Sequence, residues 1–246
     1  NQWLRLNKLK LNVNKTKVMV LGNKALIAPL NSIIMDGEEL GIERELKYLG
    51  VMLDENMNFK ANIDYVCKKV AKKVGVLARL ARNLTIGARI SIYKSVIACH
   101  FDYCSSVLYL SDAASFERLQ KLQNRAMRAI LRCKKLTPVK AMLEALDLLS
   151  VKQKVNENTL KFIYKLKNNK LPGYLSAMVT YNGDIHTYAT RSRNDFRVKC
   201  VKDAKSQNSV FHRGLVQFNS LPRHLKEERS EVLFGRNLRQ FVKENL

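Results

Sequence analysis

Leu46-Lys-Tyr-Leu-Gly-Val-Met-Leu53, closed by Asp54-Glu-Asn56, is followed from Ala61 by Asn-Ile-Asp-Tyr-Val-Cys-Lys-Lys-Val-Ala-Lys-Lys-Val-Gly-Val-Leu-Ala-Arg-Leu-Ala81, and this stretch decides the fold. Across it the apolar period changes from about two residues to about 3.6. The first part reads as strand. The second reads as a helix whose apolar stripe is Ile63, Val66, Val70, Val74, Leu77 and Leu80 or Ala81, with Lys68, Lys69, Lys72, Lys73, Arg79 and Arg82 largely opposite. The fold class expected is α+β with a helical majority.

Working back from Leu46, Ser32-Ile-Ile-Met35 precedes Asp36-Gly37-Glu38-Glu39, and Asp-Gly between short apolar runs signals a hairpin. Trp3 to Val20 reads as a short helix turning at Asn12–Asn14 into a strand, Lys17-Val-Met-Val-Leu21. Working forward, Thr85 is a candidate N-cap for a helix from Ile86 to about Leu110, apolar nearly all round and therefore central. Ser111-Asp112 starts a third helix reaching about Arg132. On it Phe116, Leu119, Leu122, Ala126 and Ile130 gather on one face, and Arg118, Lys121, Arg125, Arg128 and Arg132 on the opposite one. Past Pro138, residues 139–170 read as helical, as Val139 to Leu149 and then Lys152 to Lys167, before the stop at Leu171-Pro172-Gly173-Tyr174. Residues 176–210 read as loops with one or two short strands, and Ser209–Gln217 and Ser230–Glu244 as two last helices.

The chain has 246 residues, 46% of them hydrophobic, enough to bury real cores. Its formal charge is +23, which points to a polyanionic partner. Lys and Arg number 9 against 7 acids in residues 1–60, 15 against 4 in 61–135, and 20 against 10 in 136–246. Solvent-facing helices also carry charge, but normally interleave Glu with Lys or Arg. No acid follows Glu117 in the third helix, so its basic stripe is read as a phosphate-contacting face.

Other chemistries are disfavoured. Cys67, Cys99, Cys104, Cys133 and Cys200 form no Cys-x-x-Cys pair, so neither a zinc knuckle nor a disulfide framework is expected, and a reducing compartment is the default. Cys99 and Cys104 are read as core fillers, and so are Tyr93, Tyr103 and Tyr109. His100, His186, His212 and His224 lack metal-ligand spacing, and His100 is read as a satisfied helix histidine. There is no Gly-rich phosphate loop and no Gly-x-Ser-x-Gly, so no metal and no cofactor is assigned to this chain. Adjacent acids at Glu38-Glu39 and Asp54-Glu55 are read as hairpin solvation. Ile90–Leu110, interrupted by Lys94, His100 and Asp102, is a buried helix rather than a membrane span. Asn1 is not an initiator methionine and no secretory signal is visible, so the expectation is a chain that begins mid-protein or was trimmed, intracellular in nucleus or cytoplasm.

Several segments, in order, share a likeness: Trp3-Leu-x-x-Asn-x-Leu-x-Leu-Asn-x-x-Lys-Thr-Lys17, Lys47-Tyr48-Leu49-Gly50-Val51, His100-Phe-Asp-Tyr-Cys-Ser105, Leu119-Gln-Lys-Leu-Gln-Asn-Arg-Ala-Met-Arg128, Pro172-Gly-Tyr-Leu175, Thr190-Arg191 and Asn219-Ser-Leu-Pro222. Together they resemble the C-terminal part of the reverse transcriptases of non-LTR (LINE-type, Jockey-like) retrotransposons. Cys99 departs from a frequent Pro, and Gln217-Phe218 stand where a Trp is usual before Asn219. The resemblance implies that residues 1–60 are the end of the polymerase palm with a primer-grip hairpin, 61–135 the helical thumb, and 136–246 a basic C-terminal domain. Tyr48, Leu49 and Gly50 would hold the primer's 3′ end, with Lys15 near the incoming nucleotide. Lys68, Lys69, Lys72, Lys73, Arg79, Arg118, Lys121, Arg125, Arg128, Arg132 and Arg191 would contact nucleic acid. Implied partners are an RNA–DNA hybrid, element RNA, target DNA and the upstream fingers and palm, with no membrane.

The catalytic carboxylates and their Mg2+ would belong to the complete polymerase, before Asn1, so this chain alone is expected to be inactive. No Tyr-x-Asp-Asp occurs in it. The alternative is a non-enzymatic basic RNA- or DNA-binding remnant. Only the remnant would tolerate substitution at Tyr48 and Lys15.

Overall fold

The computed structural model describes residues 2–21, 32–35, 37–185, 188 and 190–245. The chain divides into two compact units, Asn1–Tyr65 and Val66–Leu246. It is mostly helical, with two small antiparallel hairpins near its start.

The N-terminal unit opens with α1 (Gln2–Leu6) and a 3-10 turn, Val13–Lys15, in which the Asn12 side chain accepts from the Lys15 N–H at 3.2 Å. The strand expected over Lys17–Leu21 is reduced to one bridge, Val18 beside Ile42. Its alternating residues find no ladder partner among the described residues.

Strands β1 (Ser32–Met35) and β2 (Glu38–Gly41) form the hairpin that Asp-Gly signals. Gly37 takes the left-handed conformation (φ 82°), and Asp36 lies outside the described residues. The apolar run over 46–53 is a second hairpin rather than one strand. β3 (Glu45–Tyr48) pairs with β4 (Val51–Asp54), and Tyr48 stands opposite Val51. Leu49 and Gly50, at φ 45° and 88°, make the two-residue turn, whose paired positive φ matches the twist of the strands.

Asp54 is 6% exposed, and its carboxylate accepts from the N–H groups of Asn56 (3.1 Å), Asn58 (3.1 Å) and Phe59 (2.7 Å). It therefore organises the strand-to-helix loop, a correction to its reading as hairpin solvation. The first N–H of helix α2 (Lys60–Leu80), that of Lys60, donates to Asn58 Oδ1 at 2.9 Å, satisfying a donor the helix leaves unpaired at its start. Asn62 Oδ1 in turn accepts from Met52 N at 3.2 Å, tying the hairpin to the first turn of α2.

In the second unit, α2 buries Cys67, Val70, Val74 and Leu77, the face its period indicates. Thr85 caps α3 (Ile86–Ile92), accepting from Ala88 N. This helix continues through a π-helical turn, Tyr93–Ala98, into α4 (Cys99–Asp102). It does not run to Leu110. Cys104 adopts φ 48°, and Ser105–Leu110 winds as a 3-10 helix.

The break is held from outside, because Asn158 Nδ2 donates to both Asp102 Oδ1 and Ser105 Oγ at 3.1 Å. Cys99, Tyr103 and Cys104 are exposed, so none of the three is core, whereas Tyr93 and Tyr109 are.

Next come α5 (Ala113–Leu131), α6 (Val139–Ala145) and α7 (Val151–Lys167). Helix α7 is the hub. Leu160, Ile163, Tyr164 and Leu166 sit in one core with Phe196, Leu215, Phe218, Leu221, Phe234, Leu238 and Val242. Short helices α8 (Gly173–Ser176), α9 (Ala204–Asn208), α10 (Leu215–Asn219) and α11 (Arg223–Lys226) lead to α12 (Glu231–Asn245). Among the described residues 176–210 contain no strand, only the bridge between Tyr181 and Phe196. No helix among the described residues is long and apolar enough to cross a membrane.

Candidate nucleic-acid interface

Helix α5 carries the basic stripe. Asp112 caps it, its carboxylate accepting from Ser115 N at 2.8 Å, and Arg132 ends it in the left-handed conformation (φ 53°). Ser115, Leu119, Leu122, Gln123, Ala126, Met127 and Ile130 are buried, and Phe116 is half-buried. Arg118, Lys121, Arg125 and Arg132 are exposed and Arg128 is half-buried, with a buried Nε that has no partner. Arg118, Lys121, Arg125 and Arg128, the four within the helix, lie within about 80° of arc on an ideal helix. Glu117 pairs with Lys121 at 3.6 Å with both side chains 68% exposed, a contact of little strength in water.

The helix's rotation is set by a polar clamp. Gln123 Nε2 donates to Tyr93 Oη at 3.1 Å and to the Leu149 carbonyl at 2.8 Å. Gln120 Oε1 accepts from Val151 N at 2.9 Å, and its Nε2 donates to Gln123 Oε1 and Asn124 Oδ1. Burial pushes the Tyr93 phenol up to about 12, partly offset by the Gln123 hydrogen bond, so it stays neutral. With one face so held, Arg118 and Arg125 face outward while Arg128 lies at the edge of the buried face. The Gln-x-x-Gln-Asn pattern of residues 120–124 is thus a packing device, and its structural role is not visible in its spacing.

On α2, Lys68, Lys72 and Arg79 are exposed and lie within about 40° of one another on an ideal helix; Lys69 is exposed beside them. Lys73 is turned inward: its Nζ donates to the Val96 carbonyl at 3.1 Å and meets His100 Nε2 at 2.6 Å. His100 is therefore satisfied, and burial, then the charges of Lys73 and Lys69, hold its pKa below the usual histidine range.

Lys15, Tyr48, Leu49 and Gly50 all belong to the N-terminal unit. Lys15 is exposed at the end of its 3-10 turn, Tyr48 is 61% exposed at the end of β3, and Leu49 and Gly50 form the hairpin tip. Arg191 is exposed in a turn. Of the histidines, His186 lies outside the described residues. Among the described residues no three His, Cys, Asp or Glu side chains group so as to hold a metal ion.

No family model matches the chain, and no solved structure matches it. Curated relatives do. The chain is 25% identical over 170 residues to a probable RNA-directed DNA polymerase from transposon BS of Drosophila melanogaster, covering 68% of this chain and 19% of that protein. It is 25% identical over 132 residues to the RNA-directed DNA polymerase from mobile element jockey of the same fly, covering 52% of this chain and 14% of the relative. A Pol polyprotein from type-1 retrotransposable element R1 4 of Nasonia vitripennis is 27% identical over 158 residues, covering 56% of this chain and 40% of the relative. The chain spans about a fifth of the length of the first two fly transposon polymerases it matches, those of BS and the X-element. It is distantly homologous, over part of its length, to the reverse transcriptases of non-LTR retrotransposons.

Proposed function

We propose that this chain is the thumb side of a non-LTR retrotransposon reverse transcriptase and grips the template–primer hybrid by its phosphates. The observation that carries the reading is α5: cations at spacings of 3, 4, 3 and 4 project from a helix whose opposite face is clamped by Gln120 and Gln123. A polymerase must hold every sequence alike, so it relies on phosphate contacts rather than base-edge readout. The exposed cations of α2 extend this surface class. Tyr48 and the Leu49–Gly50 turn are assigned to the primer's 3′ end, and Lys15 to the nucleotide side, on the strength of the resemblance. Residues 136–246 add further cationic surface, Arg191 included, for element RNA or target DNA.

Among the described residues no three His, Cys, Asp or Glu side chains group as the metal centre of such an enzyme would need. The acid that a sequence reading could nominate, Asp54, is committed to three backbone N–H groups. The carboxylates and Mg2+ are therefore assigned to the fingers and palm of a complete polymerase.

The test is binding of a fluorescent RNA–DNA hybrid to the Lys121→Glu/Arg125→Glu double variant, with Lys140→Glu/Arg223→Glu, on α6 and α11, as a charge-matched control. The stripe variant should lose at least tenfold in affinity while the control changes by less than threefold. Equal losses would mean that bulk charge, not this face, holds the hybrid.

A further inference from the structure

We infer that a cleft beside α5 receives one nucleotide of a single strand, its phosphate and base contacting Arg213. The inference rests on the nucleic-acid reading above and adds a base-contacting site to it. The cleft has a volume of about 620 Å³, and its lining includes Tyr109, Phe116, Gln120, Ser150, Lys152 and Arg213.

Arg213 is placed by a local peculiarity of the chain. Val210–Gly214 is a π-helical turn, and Gly214 packs so closely on α7 that a Cβ there would meet Thr159 Cγ2 at 2.9 Å. The preceding guanidinium is thereby laid over the Tyr109 ring, Cζ 4.3 Å from the centroid, and donates from Nη1 to Asn208 Oδ1 at 3.2 Å. Among the described residues no carboxylate pairs with Arg213 or Lys152. Glu117, also on the rim, is turned to Lys121. Beyond the bond to Asn208 and its contact with the Tyr109 phenol, the guanidinium keeps further N–H donors. The starts of α5 and α7 border the cleft as well, through Ala113 and Ser150, the first capped by the Asp112 carboxylate and the second by the Ser150 hydroxyl.

A pre-stacked, unneutralised arginine beside an aromatic wall suits a ligand that is both anionic and flat. Guanidinium planes and aromatic rings accept splayed-out bases of single strands, while the spare N–H groups take the phosphate. Tyr109, only 2% exposed, supports Arg213 rather than touching the ligand, and Phe116, 6.0 Å away between centroids, supplies the wall.

The experiment compares a labelled RNA hexamer with a hexamer of the same backbone lacking bases, by fluorescence anisotropy at one salt concentration. The full chain should bind the intact strand about tenfold more tightly, as one stacked base contributes. That difference should vanish in Arg213→Lys, which keeps the charge and loses the plane. It should also vanish in Ala113→Trp, which fills the cleft from an exposed helix position and decides the matter if the first variant does not fold. Affinity for the baseless strand, which keeps only the phosphate contact, should fall less in each variant than affinity for the intact strand. Equal binding of the two strands by the unaltered chain, or a difference that survives in either folded variant, would overturn the site. Loss of binding to both strands and to the hybrid would instead overturn the nucleic-acid reading.

Discussion

Gly214→Ala probes how α7 holds the turn that carries Arg213. The new methyl would lie 2.9 Å from Thr159 Cγ2 and 3.2 Å from Ile163 Cγ1, both on the buried face of α7. Overpacking of this kind costs about 1–3 kcal/mol, because neighbours must leave their rotamers or the backbone must shift. Alanine's better helix preference returns about 0.8 kcal/mol, leaving a net loss of about 0.2–2.2 kcal/mol, near 1 at the centre of the range. For a unit of this size a loss of about 1 kcal/mol is roughly 2–4 °C in Tm.

The structure also specifies the remedy. Thr159→Ser deletes the obstructing methyl at a cost of about 0.8 kcal/mol by itself, and in that background Gly214→Ala should add almost nothing. The assay is thermal and urea unfolding of the four proteins followed at 222 nm, read as a double-mutant cycle. A Gly214→Ala variant as stable as the parent, or losses that simply add in the double variant, would refute the close-packing argument.

Two further perturbations follow. Asp54→Ala strips the acceptor from three N–H groups at the loop before α2, so the N-terminal unit should lose about 2–4 kcal/mol. Hydrogen exchange at Asn58 and Phe59 should accelerate by at least a hundredfold, and unchanged protection would contradict the capping role. His100 has a folded pKa below its unfolded one, so its contribution is fully present above pH ~6.5 and is lost as pH falls through the folded value. The urea midpoint should therefore drop more steeply between pH 7.5 and 5 in the parent than in His100→Gln, and parallel profiles would contradict the depressed His100 pKa.

Where local signals agreed with tertiary packing, the sequence was a faithful guide. Asp112 and Thr85 cap helices as their positions indicate, α2 and α5 bury the faces their periods select, and Gly37 stands between the paired strands β1 and β2. It misled where a distant partner decides. Residues 86–110 contain no proline and only Gly87 near the start, so nothing local announces the break at Tyr103-Cys104 that Asn158 imposes from α7. Asp54 reads as a solvated turn acid because composition cannot say that a carboxylate folds back onto its own backbone.

The basic stripe was legible because charge spacing on a helix is local information. Lys73 was counted with the α2 cations, yet its ammonium is engaged by Val96 and His100. Arg213 gave no signal at all, since its setting depends on a π turn, on the closeness of Gly214 to Thr159, and on Tyr109 more than a hundred residues earlier.

The salt dependence of hybrid binding tests the phosphate grip most directly. If about 6–10 phosphates are neutralised, log K should fall with log salt at a slope of roughly −5 to −9, a loss of about 10³–10⁵ between 50 and 200 mM. Reversing Lys121 and Arg125 removes two of those contacts and should flatten the slope by about 2. A shallow slope in the parent, or one that Lys121→Glu/Arg125→Glu leaves unchanged, would contradict the assignment of α5 as the face that holds the hybrid.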